Sequence, residues 1–222
     1  MLLGLLAVVY GVAMLRADFP PPRAVAEAGT SFIATMRANF LIVMRDRSTV
    51  VWLVFLRVFY IMDAPAVFET LWLADVGRMR PSLIGVYVAS EMGAALFGNF
   101  ARQRWLGHVS PRVIVLVAST GMLVLFPAWF LVPGTAARFA IGLPLAVVWS
   151  VLWPVARGES LRGTDRPGAV SAVNSLTGLL LPITLGIGLL ADWIGLTPAM
   201  LGVRMIGTVV LVVIAWRWLP RR

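Results

Sequence analysis

Cysteine is absent from the 222 residues, lysine is absent too, and histidine occurs once, as His108. Without cysteine there is no disulfide framework and no thiolate metal site. With one histidine, neither a His-based metal cluster nor a Ser/His/Asp triad can be assembled. No metal motif or H-E-x-x-H run occurs, so the chain reads as a non-enzyme with no cofactor. Charge is scarce as well, at 13% of residues. Soluble domains carry about 25%.

What fills the chain instead is apolar, with 60% hydrophobic residues and a mean hydropathy of +0.90. A water-soluble globule of this length has too little interior to hide that surface, whereas a bilayer supplies the apolar surroundings from outside. Seven apolar runs emerge, at 1–15, 50–73, 82–100, 113–131, 136–156, 168–190 and 196–218. Six approach the roughly 20 residues that a helix needs to cross about 30 Å of hydrocarbon. The first is shorter and has no basic residue before it, which makes it a poor signal peptide. The expected fold is all-α: a polytopic membrane bundle of about seven transmembrane helices. Its parts are a partial first helix (1–15), a cytoplasmic linker (16–49), a six-helix bundle (50–218) and a cytoplasmic tail (219–222).

All 19 basic residues are arginine, and the formal net charge is +9. No arginine stripe is interleaved with stacking aromatics, so nucleic acid is not the expected partner. The arginines punctuate the apolar runs instead. Arg16, Arg23, Arg37, Arg45, Arg47, Arg102, Arg104, Arg112, Arg157, Arg162, Arg166, Arg217, Arg221 and Arg222 fall on one side of the implied membrane. Only Arg78, Arg80 and Arg138 fall on the other. The positive-inside bias makes the first side cytoplasmic and turns the N-terminus outward. The expected location is the cell inner (plasma) membrane, with the lipid bilayer as first partner.

The linker opens on Pro20-Pro21-Pro22, a stiff extended stretch. Phe32, Ile33, Met36, Phe40 and Met44 then follow near helical spacing, as in a helix lying on the membrane surface. Trp52, Trp72, Trp129, Trp193, Trp216 and Trp218 sit near run ends, where an interfacial belt is expected. Gly142, Ala146, Ser150 and Pro154 recur every fourth residue, as do Gly85, Ala89 and Gly93. Such stripes let helix backbones approach closely. Pro65, Pro127, Pro144 and Pro182 lie inside runs, where they free backbone carbonyls.

Asp63 and Glu91 are carboxylates within runs, at a cost of several kcal/mol unless paired, protonated or wet. Counted at 1.5 Å per residue, they lie about 15 Å and about 14 Å from the outer ends of consecutive helices. Arg204, about 12 Å deep in the last run, is a candidate counter-charge for either. Arg57 lies about 9 Å below Asp63 but about 120° around the helix, so the two do not stack. Glu69 is expected nearer the outer surface, solvated. Tyr60, Tyr87, Trp149, Ser150, Asn174 and Thr177 sit at depths that could line the same space. Two readings stay open: a polar cavity in which Asp63 or Glu91 binds a proton or a cationic small-molecule substrate, and a buried ion pair that fixes helix register.

Two loops add a resemblance. Gly98-Asn99-Phe100-Ala101-Arg102-Gln103-Arg104-Trp105-Leu106-Gly107 is similar to the G-x-x-A-D-R-x-G loop of major facilitator superfamily transporters, with Arg102 where the acid is expected. Gly188-Leu189-Leu190-Ala191-Asp192-Trp193-Ile194-Gly195 resembles the link between that family's last two helices. Nearly the whole chain then matches the family's sixth helix, central loop and seventh to twelfth helices. The resemblance implies half of a major-facilitator-like fold and secondary active transport of a small organic solute by alternating access. Asp63 and Glu91 among kinked, small-residue helices point to efflux with proton coupling, and the resemblance implies a gating loop containing Asn99, Arg102 and Arg104. It also implies a further partner, either a preceding N-terminal half or a second protomer, because six helices cannot enclose an alternating pathway alone. The alternative is a non-transporting membrane scaffold.

Overall fold

The computed structural model describes residues 46–162 and 180–220, with side chains from 183 onward in the second segment. Run 1–15, nearly all of the linker, Asn174 and Thr177 lie outside the described residues. The bundle opens on α1 (Arg47–Asp63). It passes through a 3-10 turn (Ala64–Phe68) into the short α2 (Glu69–Asp75). α3 (Pro81–Trp105), α4 (Pro111–Leu131) and α5 (Thr135–Leu161) follow, then α6 (Leu180–Ile194) and α7 (Leu196–Arg217). Among the described residues there are no strands.

Five helices are long and apolar enough to cross a membrane, α1 and α2 counting as one broken span. About seven were expected. The difference is that run 1–15 is outside the described residues, and that run 168–190 is described only from 180, as part of an apolar helix of 15 residues. The outward faces are what a membrane requires. Leu96, Val117, Val124 and Ile206 are each more than 60% exposed. In water such a surface would collapse or aggregate; in lipid it costs nothing.

Local chemistry explains the boundaries. Asp46 caps α1, its carboxylate accepting from Ser48 N at 3.0 Å and Thr49 N at 3.2 Å. The bundle therefore starts three residues before the expected 50, because a capping acid satisfies the first orphan amides. Pro65 has no amide to donate, so the α ladder fails there and 3-10 geometry carries the chain over to α2. Gly134 and Gly195 hold φ of 87° and 90°, a backbone state that favours glycine, and they turn the chain into α5 and α7. Leu219, expected in a solvated tail, is buried against the core, so the bundle ends beyond 218.

α5 packs on α1, α3 and α4, and α7 packs on α1, α4 and α6. Thus α1, α4, α5 and α7 form the centre, and α3 and α6 flank it. Hydrogen bonds tie the two ends. Arg112 donates to the carbonyls of Ala215 and Trp216, joining the start of α4 to the end of α7. At the opposite end Trp72 Nε1 donates to Thr197 Oγ1 at 2.7 Å, and Arg138 Nη1 to Gly77 O at 2.9 Å. The tryptophans divide accordingly. Trp193, Trp216 and Trp218 are exposed, whereas Trp52, Trp72 and Trp129 belong to the core. The expected belt is corrected there, because a ring at a run end can equally turn inward and fill the space between splayed helix ends.

Candidate functional site

α7 supplies the centre of the site. Arg204 is only 4% exposed, although guanidinium is strongly disfavoured in an apolar interior. Its guanidinium is held from two directions, and its backbone carries a further bond. Its Nη2 donates to Glu69 Oε2 at 2.9 Å. Its guanidinium carbon lies 5.0 Å from the Phe126 ring centre, 5.7 Å from Phe130 and 5.9 Å from Trp129. Its carbonyl accepts from Thr208 Oγ1 at 2.6 Å, one turn on. Its Nε makes no hydrogen bond among the described residues. Aromatic faces offer about 2 kcal/mol to a desolvated cation, and the carboxylate completes the compensation.

The ion pair differs from the expected one: Arg204 salt-bridges Glu69, not Asp63 or Glu91. Glu69 is half-buried rather than solvated, because α2 begins at that residue, immediately after the 3-10 turn. Asp63 and Glu91 stand nearby, and each interacts electrostatically with both Glu69 and Arg204. Glu69 alone bonds the guanidinium, and Asp63 and Glu91 lie within its electrostatic reach.

These groups line a cavity of about 300 Å³, open on one side. Asp63, Ala66 and Glu69 come from the broken span, Val88, Glu91, Met92 and Ala95 from α3, and Trp149 with Leu145 and Ala146 from α5. Arg204 and Phe126 close it from α7 and α4. The wall is mostly apolar apart from the charged cluster. Trp149 stacks parallel on Trp153 at 6.3 Å and leans on Phe59 at 5.7 Å. Its buried Nε1 has no hydrogen-bond acceptor of ordinary geometry. Behind the wall, Trp129 Nε1 donates to the Tyr87 hydroxyl at 2.8 Å, and Tyr87 lies one helical turn before Glu91 on α3.

Asp63, Glu91, Arg204 and Trp149 are thus brought together as expected, and Tyr87 supports them. Among the described residues, the remaining candidates fall elsewhere. Arg57 does not line the cavity. Tyr60 is also outside it, accepting a hydrogen bond from Trp153 Nε1 at 3.1 Å. Asn99, Arg102 and Arg104 were expected in a loop but lie on α3, which runs to Trp105. The helix persists because Ala101 is buried and Trp105 packs edge-on against Phe97 and Phe100. Arg102 and Arg104 then complement the negative end of its dipole. The residue missed was Glu69, together with the aromatic cradle of Phe126 and Phe130. A phenylalanine pair at spacing four facing an intramembrane arginine was the available signal.

Among the described residues, no group of three His, Asp or Glu side chains is placed to hold a metal ion. No protein-family model, curated protein or solved structure matches the chain.

Proposed function

We propose that the chain is one half of a secondary transporter of the major facilitator kind, moving a small organic solute by alternating access, in the efflux direction and coupled to protons. The observation that carries this reading is the half-open cavity in which three carboxyl groups meet one buried arginine. Acid outnumbers base, so what the cavity lacks is positive charge. A proton, or a solute with a cationic group and an apolar body resting on Trp149 and Phe126, meets that lack. Carboxyl groups that stay buried in a membrane are costly unless they have a task or a partner. Among the described residues lining the cavity, the one basic side chain is engaged by Glu69, leaving Asp63 and Glu91 for the task.

A second reading rests on α3. Only 11% of its most apolar stretch is buried, against 44% in α4 and α7. A membrane scaffold that lends this face to another protein would look the same. Inverted vesicles carrying the chain together with its other half, given an acidic lumen, separate the two. We expect ethidium to accumulate, and Asp63→Asn or Glu91→Gln to lower that uptake at least tenfold. Normal pH-driven uptake by both variants removes the assigned role. No uptake by the parent chain, with a stoichiometric membrane partner co-purifying, favours the scaffold.

A further inference from the structure

The arginine-rich end of the bundle holds a second cavity, of about 340 Å³, between the α3–α4 turn and the last turns of α5. Its polar wall includes Arg102, Gln103, Glu159 and Arg162. A third cavity, of about 260 Å³, runs deeper along α4 and α5 and is lined only by Val113, Val117, Val147, Val151 and similar apolar residues. The two adjoin, because Leu106, Val109 and Ile114 line both. Taken together they form a groove that begins polar at a helix-end level and becomes wholly apolar toward the membrane interior.

Its dimensions follow from helix rise. From Pro111 to Val117 the groove descends about 9 Å along α4. From Arg162 to Val147 it spans about 22 Å along α5. One leaflet's hydrocarbon is about 15 Å thick, so the apolar arm fits within it. Charge fixes the character of the polar arm. Glu159 is occupied by Arg162, whose Nη1 lies 3.0 Å and 3.2 Å from its two oxygens. Arg102 forms no ion pair among the described residues and leaves the pocket with a positive excess.

We infer that this groove is a binding site for an anionic phospholipid, its phosphate held by Arg102 and Arg162 and one acyl chain lying along Val113, Val117, Val147 and Val151. A membrane phosphodiester with an apolar tail matches both arms. A soluble phosphate matches only the first, and a zwitterionic lipid brings a cation to a pocket already positive. The inference is independent of the transport reading, since the central cavity shares no lining residue with the groove.

Native mass spectrometry of the full chain, stripped of lipid and then offered phosphatidylglycerol, phosphatidylcholine or glycerol 3-phosphate, tests this. Phosphatidylglycerol should remain bound at least threefold more than phosphatidylcholine, and glycerol 3-phosphate should not compete at equal concentration. Arg102→Ala with Arg162→Ala should erase the preference. Val117→Trp, an exposed position on the groove wall, should weaken retention of phosphatidylglycerol. Glu159→Gln removes the competing carboxylate and should strengthen retention, an outcome that misfolding cannot mimic. Equal retention of both lipids by the parent chain overturns the inference. So does equally strong binding of glycerol 3-phosphate, which would make this a soluble-anion site, or unchanged retention in Glu159→Gln and the double arginine variant.

Discussion

Arg204 concentrates the energetic tension of the molecule in one side chain. It sits where lipid or protein surrounds it, and its charge is tolerated because Glu69 and three aromatic rings replace the lost water. Breaking a buried pair by removing one partner costs about 3–5 kcal/mol, because the survivor keeps its desolvation without compensation. Arg204→Ala is worse placed than an ordinary case, since it leaves Glu69, Asp63 and Glu91 with no counter-charge among the cavity's walls. We expect Arg204→Ala to lose on the order of 4 kcal/mol, and Arg204→Ala with Glu69→Gln to recover part of that loss. Thermal unfolding in one detergent, followed by tryptophan fluorescence, measures both. If the double variant is no more stable than the single one, the pair does not carry the arginine. Much of this site was legible as residues. Asp63, Glu91 and Arg204 announce themselves by being charged where the surroundings are apolar. The pairing was not legible, because depth along a straight helix cannot show that the span breaks at Pro65 or that a long arginine side chain reaches up to the next turn.

Elements differ in how their small residues are used, and spacing alone does not separate the cases. Gly207 lets α7 press against α1: a Cβ there would lie 2.6 Å from Met62 Cβ, a stem atom that cannot swing away. Gly142 and Gly98 serve the α3–α5 contact, facing the Tyr87 ring and Ser150 respectively. Gly85 and Gly93, at the same spacing on α3, face open space. Gly207→Ala should therefore destabilise by about 1–3 kcal/mol through overpacking, whereas Gly85→Ala should change stability by no more than about 0.5 kcal/mol. Comparing their apparent melting temperatures checks the contrast, and a Gly207→Ala protein as stable as the parent would place the α1–α7 contact elsewhere. The long helices among the described residues were readable to within a few residues, since hydropathy registers what lipid demands. Which stripe meets a neighbour was not, because a run's own sequence says nothing about the element beside it. The extension of α3 through Ala101 to Trp105 belongs to the same class, being decided by packing of that turn and not by its loop-like composition.

At the scale of the molecule, the uncovered face of α3 and the mouth of the central cavity are one feature. Gly85, Ala89, Met92 and Leu96 follow one another at i, i+4, i+7 and i+11, a single stripe, and all four are exposed. Met92 is also part of the cavity wall, so this stripe runs up to the opening. Lipid alone would be a poor cover, because acyl chains beside a cavity holding three carboxyl groups would leave the charges without polar company. The transport reading puts a second six-helix unit there, supplied by another chain or another copy, with small residues allowing close approach. The absence of native cysteine makes the test direct. Ala89→Cys should form a disulfide-linked species with an identical copy, or be shielded from a membrane-confined thiol reagent by a co-purifying partner. Ile206→Cys, on the lipid-facing side of α7, should react freely and stay monomeric. Gly93→Leu should weaken the Ala89→Cys crosslink or shielding several-fold while leaving the melting temperature unchanged, since its side chain meets nothing within the monomer. Equal reactivity at positions 89 and 206 would mean that α3 faces lipid, and the cavity would then have to work, or not work, within a single copy of this chain.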